Sequence, residues 1–432
     1  MTRRAVVLVG NPANPYSRAL RVARTLVEEG FAVEIAATND DDAPDRATDG
    51  PVEVRRYRAS GRFAGRQARH GRPSPARVSP VAGARRTGSR LVRVLRTQRA
   101  HLAEWALWPQ TVRGWWATLG RELEPADLYH ACGILALPPA LAARARDRRA
   151  GRTSRVIYDV IDITLESNQV LRMPATVRRL LGLRERRWAR AADAHTAINA
   201  PFAERAVARW GLYATPTVVP NYPERWSPSA GPWPDLIREA LGLPPSTRIC
   251  LSWGRLGPNL GLDEAANAVL EVEDAVLVVM GFGRGLEASR ERDRDARFAG
   301  RHFTLPARHP DELPAWIASA DVALVTLPPV SYNQRHTTPN KFLEAMAAGT
   351  PIVLGPDLPT MAALLEREDL GRVSTSMAAA DIAAAIRSIV DLPPDVRATW
   401  RTRMADTARE RYSWPIAAEA YRTLVRATMA AR

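Results

Sequence analysis

Residues 337–354, TTPNKFLEAMAAGTPIVL, bring together the residue types that hold a phosphate ester. Thr338 is a good N-cap and Pro339 suits a first helical position, so a helix is expected to begin here. The first N–H groups of a helix lack intrahelical partners, and with the macrodipole they attract an anion. Lys341 lies in the first turn, and Glu344 follows three residues later on the same face. Such a helix start offers N–H donors and an ammonium to phosphates. One turn deeper, a carboxylate is placed to take two ribose hydroxyls. Gly349-Thr350-Pro351 then turns sharply into a strand. Lys341 is the only lysine in a chain whose other cations are arginines, which singles it out. The plain alternative is a capped surface helix with a Lys–Glu pair.

The elements that must position this segment alternate between strand and helix. Ala5–Gly10 is a continuous apolar run of the kind a parallel strand shows when buried on both faces. Arg18–Glu29 has helical periodicity and meets Gly30 where a C-cap belongs. Strands are expected at Phe31–Ala37, Asp127–His130, Arg155–Asp159 and Ala194–Asn199, with helices at Pro138–Arg148 and Val177–Ala192. After the Pro-rich run 221–234 a second series begins, with strands at Arg248–Trp253, Ala275–Met280, His302–Leu305, Asp321–Thr326 and Pro351–Leu354. This alternation predicts an α/β fold of two Rossmann-like domains with parallel sheets facing across a cleft. The expected division is 1–222, a linker at 223–234, 235–412, and a C-terminal helix within 413–432 that packs back on the first domain.

Composition narrows the function classes. The 432 residues suffice for two or three domains. No apolar run approaches the ~20 residues of a membrane span, and MTRRAVVLVGNP turns to Asn-Pro too early for a signal peptide. Cys132 and Cys250 are too few for a disulfide framework or a cysteine metal site, which fits a cytosolic protein. The net charge is +15, and residues 55–99 hold fourteen arginines and no acid, so one segment supplies nearly all of it. Within it, residues 90–108 have a helical apolar arc of Leu91, Val94, Leu95, Leu102 and Trp105 opposite Arg90, Arg93, Arg96 and Arg99. Three readings stand: a helix packed on its own domain with a solvated basic face, a peripheral contact with anionic lipid or a phosphate-bearing acceptor, and nucleic acid. No nucleic-acid-reading motif accompanies the patch, so no nucleic-acid partner is expected.

EAMAAGTPIV, preceded by Pro-Asn-Lys, resembles the C-terminal signature of GT-B glycosyltransferases of the family 4 type. NPANPYSRALRVARTLVEEGFAV is similar to their first strand–loop–helix, ADLYHACG to their Asp-x-x-His-x-His-Asp stretch, and VIYDVID to their Tyr-Asp-x-His-Glu stretch. VVPNYP looks like the interdomain crossing, SWGRLGPNLGL like their phosphate loop, and LPAWIASADVALV like the approach to the nucleotide helix. The resemblance implies transfer of a sugar from a nucleotide donor, UDP-sugar first, with retention and without metal or other cofactor. Carried over by position, Arg255 and Lys341 would neutralise the leaving diphosphate and Glu344 would bind the donor ribose. Asn259 stands where many members have a second phosphate-binding lysine. Gly281 and Gly283 would let backbone approach the nucleotide, and Leu305 to His309, with Arg308, would border the base. Thr338 and Asn340 complete the helix start on the donor side. Asn11, Arg18, Asp162 and His336 are candidates for acceptor or donor-sugar contacts.

This sequence departs from the family pattern at three places. The family's first glutamate, eight residues before Glu344, is His336, as in the branch with Pro-x-Lys before the helix. The expected second histidine is Cys132 and the following acid is Gly133, which leaves His130 as the site histidine or a buried structural one. Asp40-Asp41-Asp42 is similar to the Asp-x-Asp metal motif of the other major glycosyltransferase fold. It follows a second strand and opens an Asp/Pro-rich loop, so a solvated turn is the better reading and no metal is expected. The expectation is a cytosolic glycosyltransferase acting on a lipid-linked or other anionic acceptor, peripheral on the membrane's inner face if 55–116 touches lipid. The rivals are a nucleotide-sugar epimerase of the same fold and a nucleotide-sugar-binding protein that has lost chemistry.

Overall fold

Apolar runs too short for helices become the strands of two sheets, each with its own core. The structure, a computed structural model, describes residues 2–13, 17–39, 43–58, 113–170, 173–227, 233–257, 260–283 and 285–431. The chain divides into two compact units: Met1–Ala197 with Ala203–Thr217 and Arg422–Arg432, and Ile198–Phe202 with Val218–Tyr421. The division falls at 217/218, earlier than the Pro-rich run suggested. Tyr222, Trp226 and Trp233, from that run, pack on the core of the second unit.

The first unit contains β1 (Arg3–Val9), α1 (Ser17–Glu28), β2 (Phe31–Thr38), β3 (Arg46–Asp49) and β4 (Val52–Tyr57). After a helical stretch over 113–122 come β5 (Leu128–Cys132), α2 (Leu137–Arg149), β6 (Arg155–Val160), α3 (Ala175–Ala189), β7 (Ala194–Ala197), α4 (Ala200–Trp210) and β8 (Thr217–Val218). The sheet order is β3-β4-β2-β1-β5-β6-β7-β8. The β3–β4 pair is antiparallel, while β4-β2-β1-β5-β6-β7 pair in parallel. Ala5 through Val9 are 0% exposed, as a central strand covered on both faces must be. The β3–β4 hairpin was not among the expected strands. Its signal was Asp49-Gly50, with Gly50 at φ 54° supplying the tight turn. The end of the last helix ties to α1 through Arg426, which donates to both oxygens of Glu29 at 2.7 and 2.8 Å.

The second unit runs α5 (Leu236–Leu241), β9 (Arg248–Arg255), α6 (Leu262–Leu270), β10 (Ala275–Phe282), α7 (Leu286–Arg294), β11 (His302–Pro306) and α8 (Leu313–Ala318). It continues with β12 (Val322–Val325), α9 (Tyr332–His336), α10 (Asn340–Ala347), β13 (Ile352–Leu354), α11 (Pro359–Arg367) and β14 (Gly371–Val373). Three helices close it: α12 (Ala379–Val390), α13 (Pro394–Arg411) and α14 (Trp414–Ala430), the last passing into the first unit at Arg422. Its sheet, β11-β10-β9-β12-β13-β14, is parallel throughout.

In each sheet the strand order reverses beside its first strand. The chain leaves β1 toward β2 and returns to β5 on the other side; likewise it leaves β9 toward β10 and returns to β12. Ligands of open α/β sheets bind outside the carboxyl ends of the strands at such a switch point, because the loops there diverge and leave a crevice. One switch point is therefore framed by Asn11 and Cys132–Gly133, and the other by Arg255. No helix among the described residues is long and apolar enough to cross a membrane.

Candidate functional site

The site in the second unit is built on α10. Phe342, Leu343, Ala345, Met346 and Ala347 are buried, which fixes the helix against the sheet and leaves Lys341 and Glu344 on its open edge. The helix begins one residue later than the sequence suggests. Pro339 is the N-cap at φ −68°, ψ 155°, and Asn340 is the first helical residue. The Thr338 hydroxyl therefore does not cap; its oxygen is buried with no hydrogen-bond partner among the described residues. At the other end Gly349 has φ 61°, and a Cβ there would lie 2.5 Å from the Arg401 carbonyl, so only glycine fits the exit turn. The Thr350 hydroxyl closes that turn by donating to the Ile317 carbonyl at 2.9 Å.

Glu344 is held in a set orientation. The indole N–H of Trp253, near the end of β9, donates to Glu344 Oε2 at 2.8 Å. Trp253 is 2% exposed, so the donor is anchored by packing and cannot turn away. Sequence reasoning missed this residue; its one signal was a tryptophan in a strand otherwise made of smaller residues. Burial pushes the Lys341 ammonium down to about 8, and the Glu344 carboxylate acts the other way. At neutral pH the lysine is still mostly charged. Asn340 is exposed, and its side chain accepts from the Asn221 amide.

Arg255 ends β9, two residues after Trp253, and is exposed. The loop after it is locked to the end of β10: Leu256 N–H donates to the Phe282 carbonyl at 2.7 Å and Gly285 N–H to the Leu256 carbonyl at 3.2 Å. Gly281 and Gly283 serve this contact. A Cβ on Gly281 would lie 2.0 Å from the Gly254 carbonyl, and one on Gly283 2.8 Å from that of Leu256. What an added Cβ would meet at each of these glycines is the protein's own backbone. Beside this loop lies a cavity of about 400 Å³, lined by Gly257, Leu260, Gly261, Gly285, Ala288 and Arg292 among others. Gly261 is the N-cap of α6 and Gly285 that of α7, so two helix starts open on one recess. Neither has a side-chain cap, which leaves N–H donors for an anion, while Asp263 and Glu264 in the first turn of α6 also line the recess and Arg292 pairs with Asp263. Asn259 lies outside the described residues.

The remaining donor-side candidates are spread along the strand ends. The Arg308 guanidinium lies over the Trp316 ring at 3.8 Å, which fixes a flat cationic face after β11. His309 is 67% exposed, with its Nδ1 3.3 Å from an Asp311 oxygen. His336 ends α9, and its ring packs on Tyr332 at 4.4 Å between centroids. Its Nδ1 is 3.3 Å from the Thr360 hydroxyl, while its carbonyl accepts from Asn199 at 2.8 Å. The His336 ring thus packs on Tyr332 and is half-buried at the position of the family's first glutamate.

The first unit's candidates behave differently. Arg18 donates from Nε and Nη2 to the two oxygens of Asp159, both at 2.7 Å, and the pair is 2% and 0% exposed. Thr196 donates to the same carboxylate at 2.8 Å, and His130 Nε2 lies 3.5 Å from it. Burial alone would raise the Asp159 carboxyl; the charge and bonds of Arg18 overcome it and hold the group far below the usual range. In this conformation Arg18 and Asp159 form a buried pair. His130 is 1% exposed, so in this conformation its imidazole meets protein and not a substrate. His130, Cys132 and Asp159 place three ligand atoms within 4.8 Å. The cluster does not suit a divalent cation, because a guanidinium occupies both carboxylate oxygens and burial pushes the Cys132 thiol up. The Asn11 side chain accepts from Ala13 N–H at 2.9 Å and so shapes the turn after β1. Asp162 differs from these: its side chain reaches solvent, yet surrounding protein raises its carboxyl to about 6.

Residues 247–391 match the family described as Glycosyl transferases group 1. That stretch contains Trp253, Arg255, Lys341 and Glu344. No curated protein matches the chain. Among solved structures, sucrose-phosphate synthase from Thermosynechococcus elongatus is similar over 100% of both chains, at 17% identity and a TM-score of 0.69. An α,α-trehalose 6-phosphate synthase from Burkholderia multivorans is similar over 100% of this chain and 98% of its own, at 16% identity and a TM-score of 0.62. HepE from Anabaena, solved in complex with UDP and glucose, is similar over 98% of this chain and 100% of its own, at 15% identity and a TM-score of 0.63. At such identities the likeness is one of fold: an α/β chain of two parallel-sheet units of the GT-B type.

Proposed function

We propose that this chain transfers a sugar from a nucleoside-diphosphate donor, a UDP-sugar, to an acceptor, with retention at the anomeric carbon and without a metal. The observation that carries the reading is the start of α10: Lys341 with a depressed ammonium, and Glu344 held by the Trp253 indole N–H at 2.8 Å. Both residues lie in the stretch that matches the group 1 family. In this reading Glu344 takes the ribose hydroxyls, already aimed by Trp253. The paired helix starts at Gly261 and Gly285 take phosphate oxygens, and Arg255 with Lys341 balances the charge that develops as the diphosphate departs. The bond from the anomeric carbon to the β-phosphate oxygen breaks as the bond to the acceptor oxygen forms. The acceptor's proton passes to the leaving phosphate, so no separate base is required. His130 is given no contact in this scheme. A lipid-linked or other anionic acceptor, taken up by the first unit, completes the proposal. So does a peripheral membrane contact through 55–116, most of which lies outside the described residues.

The test is turnover of a panel of UDP- and GDP-sugars, followed by release of the nucleoside diphosphate with chelator present. Slow donor hydrolysis giving a sugar of unchanged anomeric configuration, abolished by Glu344→Gln, is the expected result. A free sugar epimer would identify an epimerase. Donor binding without any turnover would identify a protein that has lost chemistry, and inversion or full loss with chelator would refute the mechanism.

A further inference from the structure

Helix α3 has the wrong face for a helix that only covers a sheet. Its inward stripe is Leu181, Glu185 and Ala189. At 100° per residue, Leu183, Arg187, Leu180 and Arg190 fall within about 40° of the opposite direction. The centre of the solvent face is therefore apolar as well as basic, with Leu180 64% and Leu183 59% exposed. Arg179, Arg184 and Arg186 flank them, and Arg178 is exposed in the first turn on the other side of the helix. The one acid on the helix, Glu185, is turned inward and pairs with Arg209 at 3.2 Å. Among the described residues no carboxylate pairs with any of these six arginines. Tyr213, 90% exposed, extends the strip beyond the helix end; Arg190 stacks over its ring at 5.0 Å and donates to its hydroxyl at 2.6 Å.

We propose that the outer face of α3, with Tyr213, docks on an anionic bilayer surface, the arginines against headgroup phosphates and Leu180 and Leu183 in the acyl boundary beneath. The occupant follows from charge and shape. Residues 55–99 of this chain carry fourteen arginines and no acid, so that segment offers this face no carboxylate to pair with. A second copy presenting the same face is excluded on the same ground. Nucleic acid would satisfy the arginines but leave two leucines against phosphates with nothing apolar to enter. A bilayer satisfies both sets at once, since a basic helix face with aliphatic residues at its centre lies in the interface plane. This surface is separate from the donor site and does not depend on the reaction assigned to it.

Both cysteines of the chain are free and buried, so a thiol introduced on the surface can be labelled selectively. Leu183→Cys carrying an environment-sensitive fluorophore is titrated with vesicles of 30% phosphatidylglycerol in phosphatidylcholine, and with phosphatidylcholine alone. Thr399→Cys, on exposed α13, is the control. The label at 183 is expected to shift to the blue with the anionic vesicles only, and the label at 399 is expected not to shift. By co-sedimentation, Leu180→Ser with Leu183→Ser should weaken vesicle binding at least tenfold. Replacing Arg179, Arg186, Arg187 and Arg190 with Gln should weaken it by about a thousandfold, at roughly 1 kcal/mol per basic residue at such a surface. All of these side chains are at the surface, and an unchanged melting temperature verifies the fold. Absence of vesicle binding, equal binding by all variants, a water-exposed label at 183 in the bound state, or preference for duplex DNA over the vesicles would each overturn the proposal.

Discussion

The depressed Lys341 ammonium makes donor binding a proton-linked event. In the free protein burial holds the group at about 8. A diphosphate beside it offsets the burial with opposite charge and returns it to roughly its ordinary 10.4. Binding must then take up a proton wherever the free lysine is partly neutral. From those two values the uptake is about 0.1 proton at pH 7, about 0.5 at pH 8 and about 0.75 at pH 8.5. The same linkage lowers donor affinity by about fourfold between pH 7 and pH 8.5. The sign is fixed: affinity falls as pH rises through the free value, because the anion prefers the charged form. Calorimetric titration in buffers of different ionisation enthalpy reads the uptake directly. A UDP-sugar is the appropriate probe, since its phosphates, unlike the terminal phosphate of UDP, do not titrate near neutrality. Lys341→Arg keeps the charge without the titration, so it should bind with little uptake across this range. An uptake that persists in Lys341→Arg, or none in the wild type at pH 8, would show that Lys341 does not meet the diphosphate.

Three other expectations follow from particular contacts. Trp253→Phe removes the N–H that aims Glu344, a bond worth about 1–2 kcal/mol when its acceptor is charged. UDP affinity should fall roughly five- to thirtyfold, while 2′,3′-dideoxy-UDP, lacking the hydroxyls, should bind wild type and variant alike; an equal loss for both ligands would mean that the indole only packs. Gly281→Ala places a Cβ 2.0 Å from a backbone oxygen and should cost about 2 kcal/mol or more in denaturant unfolding, whereas Gly120→Ala, on an open helical site, should stabilise by about 0.5–1 kcal/mol. For Asp162, whose carboxyl is raised to about 6, native stability is greatest below the unfolded value near 4 and declines as pH rises through about 6. With its exposure discounted, Asp162→Asn should recover about 1 kcal/mol at pH 7.5 and nothing at pH 3, and equal shifts at both would contradict the burial argument.

Most of the fold is legible in the sequence because parallel strands buried on both faces are continuous apolar runs. Ala5–Val9 and Ala275–Met280 leave no other reading. The β3–β4 hairpin is not, since ATDGPVEV alternates weakly and Arg55 and Arg56 of β4 look like part of the basic segment. The Lys341/Glu344 pair is legible from one helix turn of spacing. Its third member, Trp253, is not, because 91 residues separate it from Glu344 and no local pattern joins them. Arg18 and His130 mislead for the opposite reason. Their residue types suit chemistry, but only the tertiary structure, with His130 on β5 beside β6 and Arg18 reaching in from α1, reveals that they fall around the buried Asp159 carboxylate. The glycines of MGFG look like a ligand's approach path, and Gly281 also admits the backbone of β9 and Gly283 that of the loop after it, contacts visible only once two strands are paired.

The central claim is that the start of α10 holds a nucleoside diphosphate, and a thermal-shift panel tests it most directly. Nucleoside diphosphates and their sugar esters are compared on wild type and Lys341→Ala. A ligand present at 100 times its dissociation constant adds about 2.7 kcal/mol to stability, a plainly measurable rise in melting temperature. The account predicts that one nucleotide stabilises the wild type and that Lys341→Ala loses most of that rise. If no nucleotide stabilises the wild type, or the variant responds as the wild type does, α10 is not the donor site.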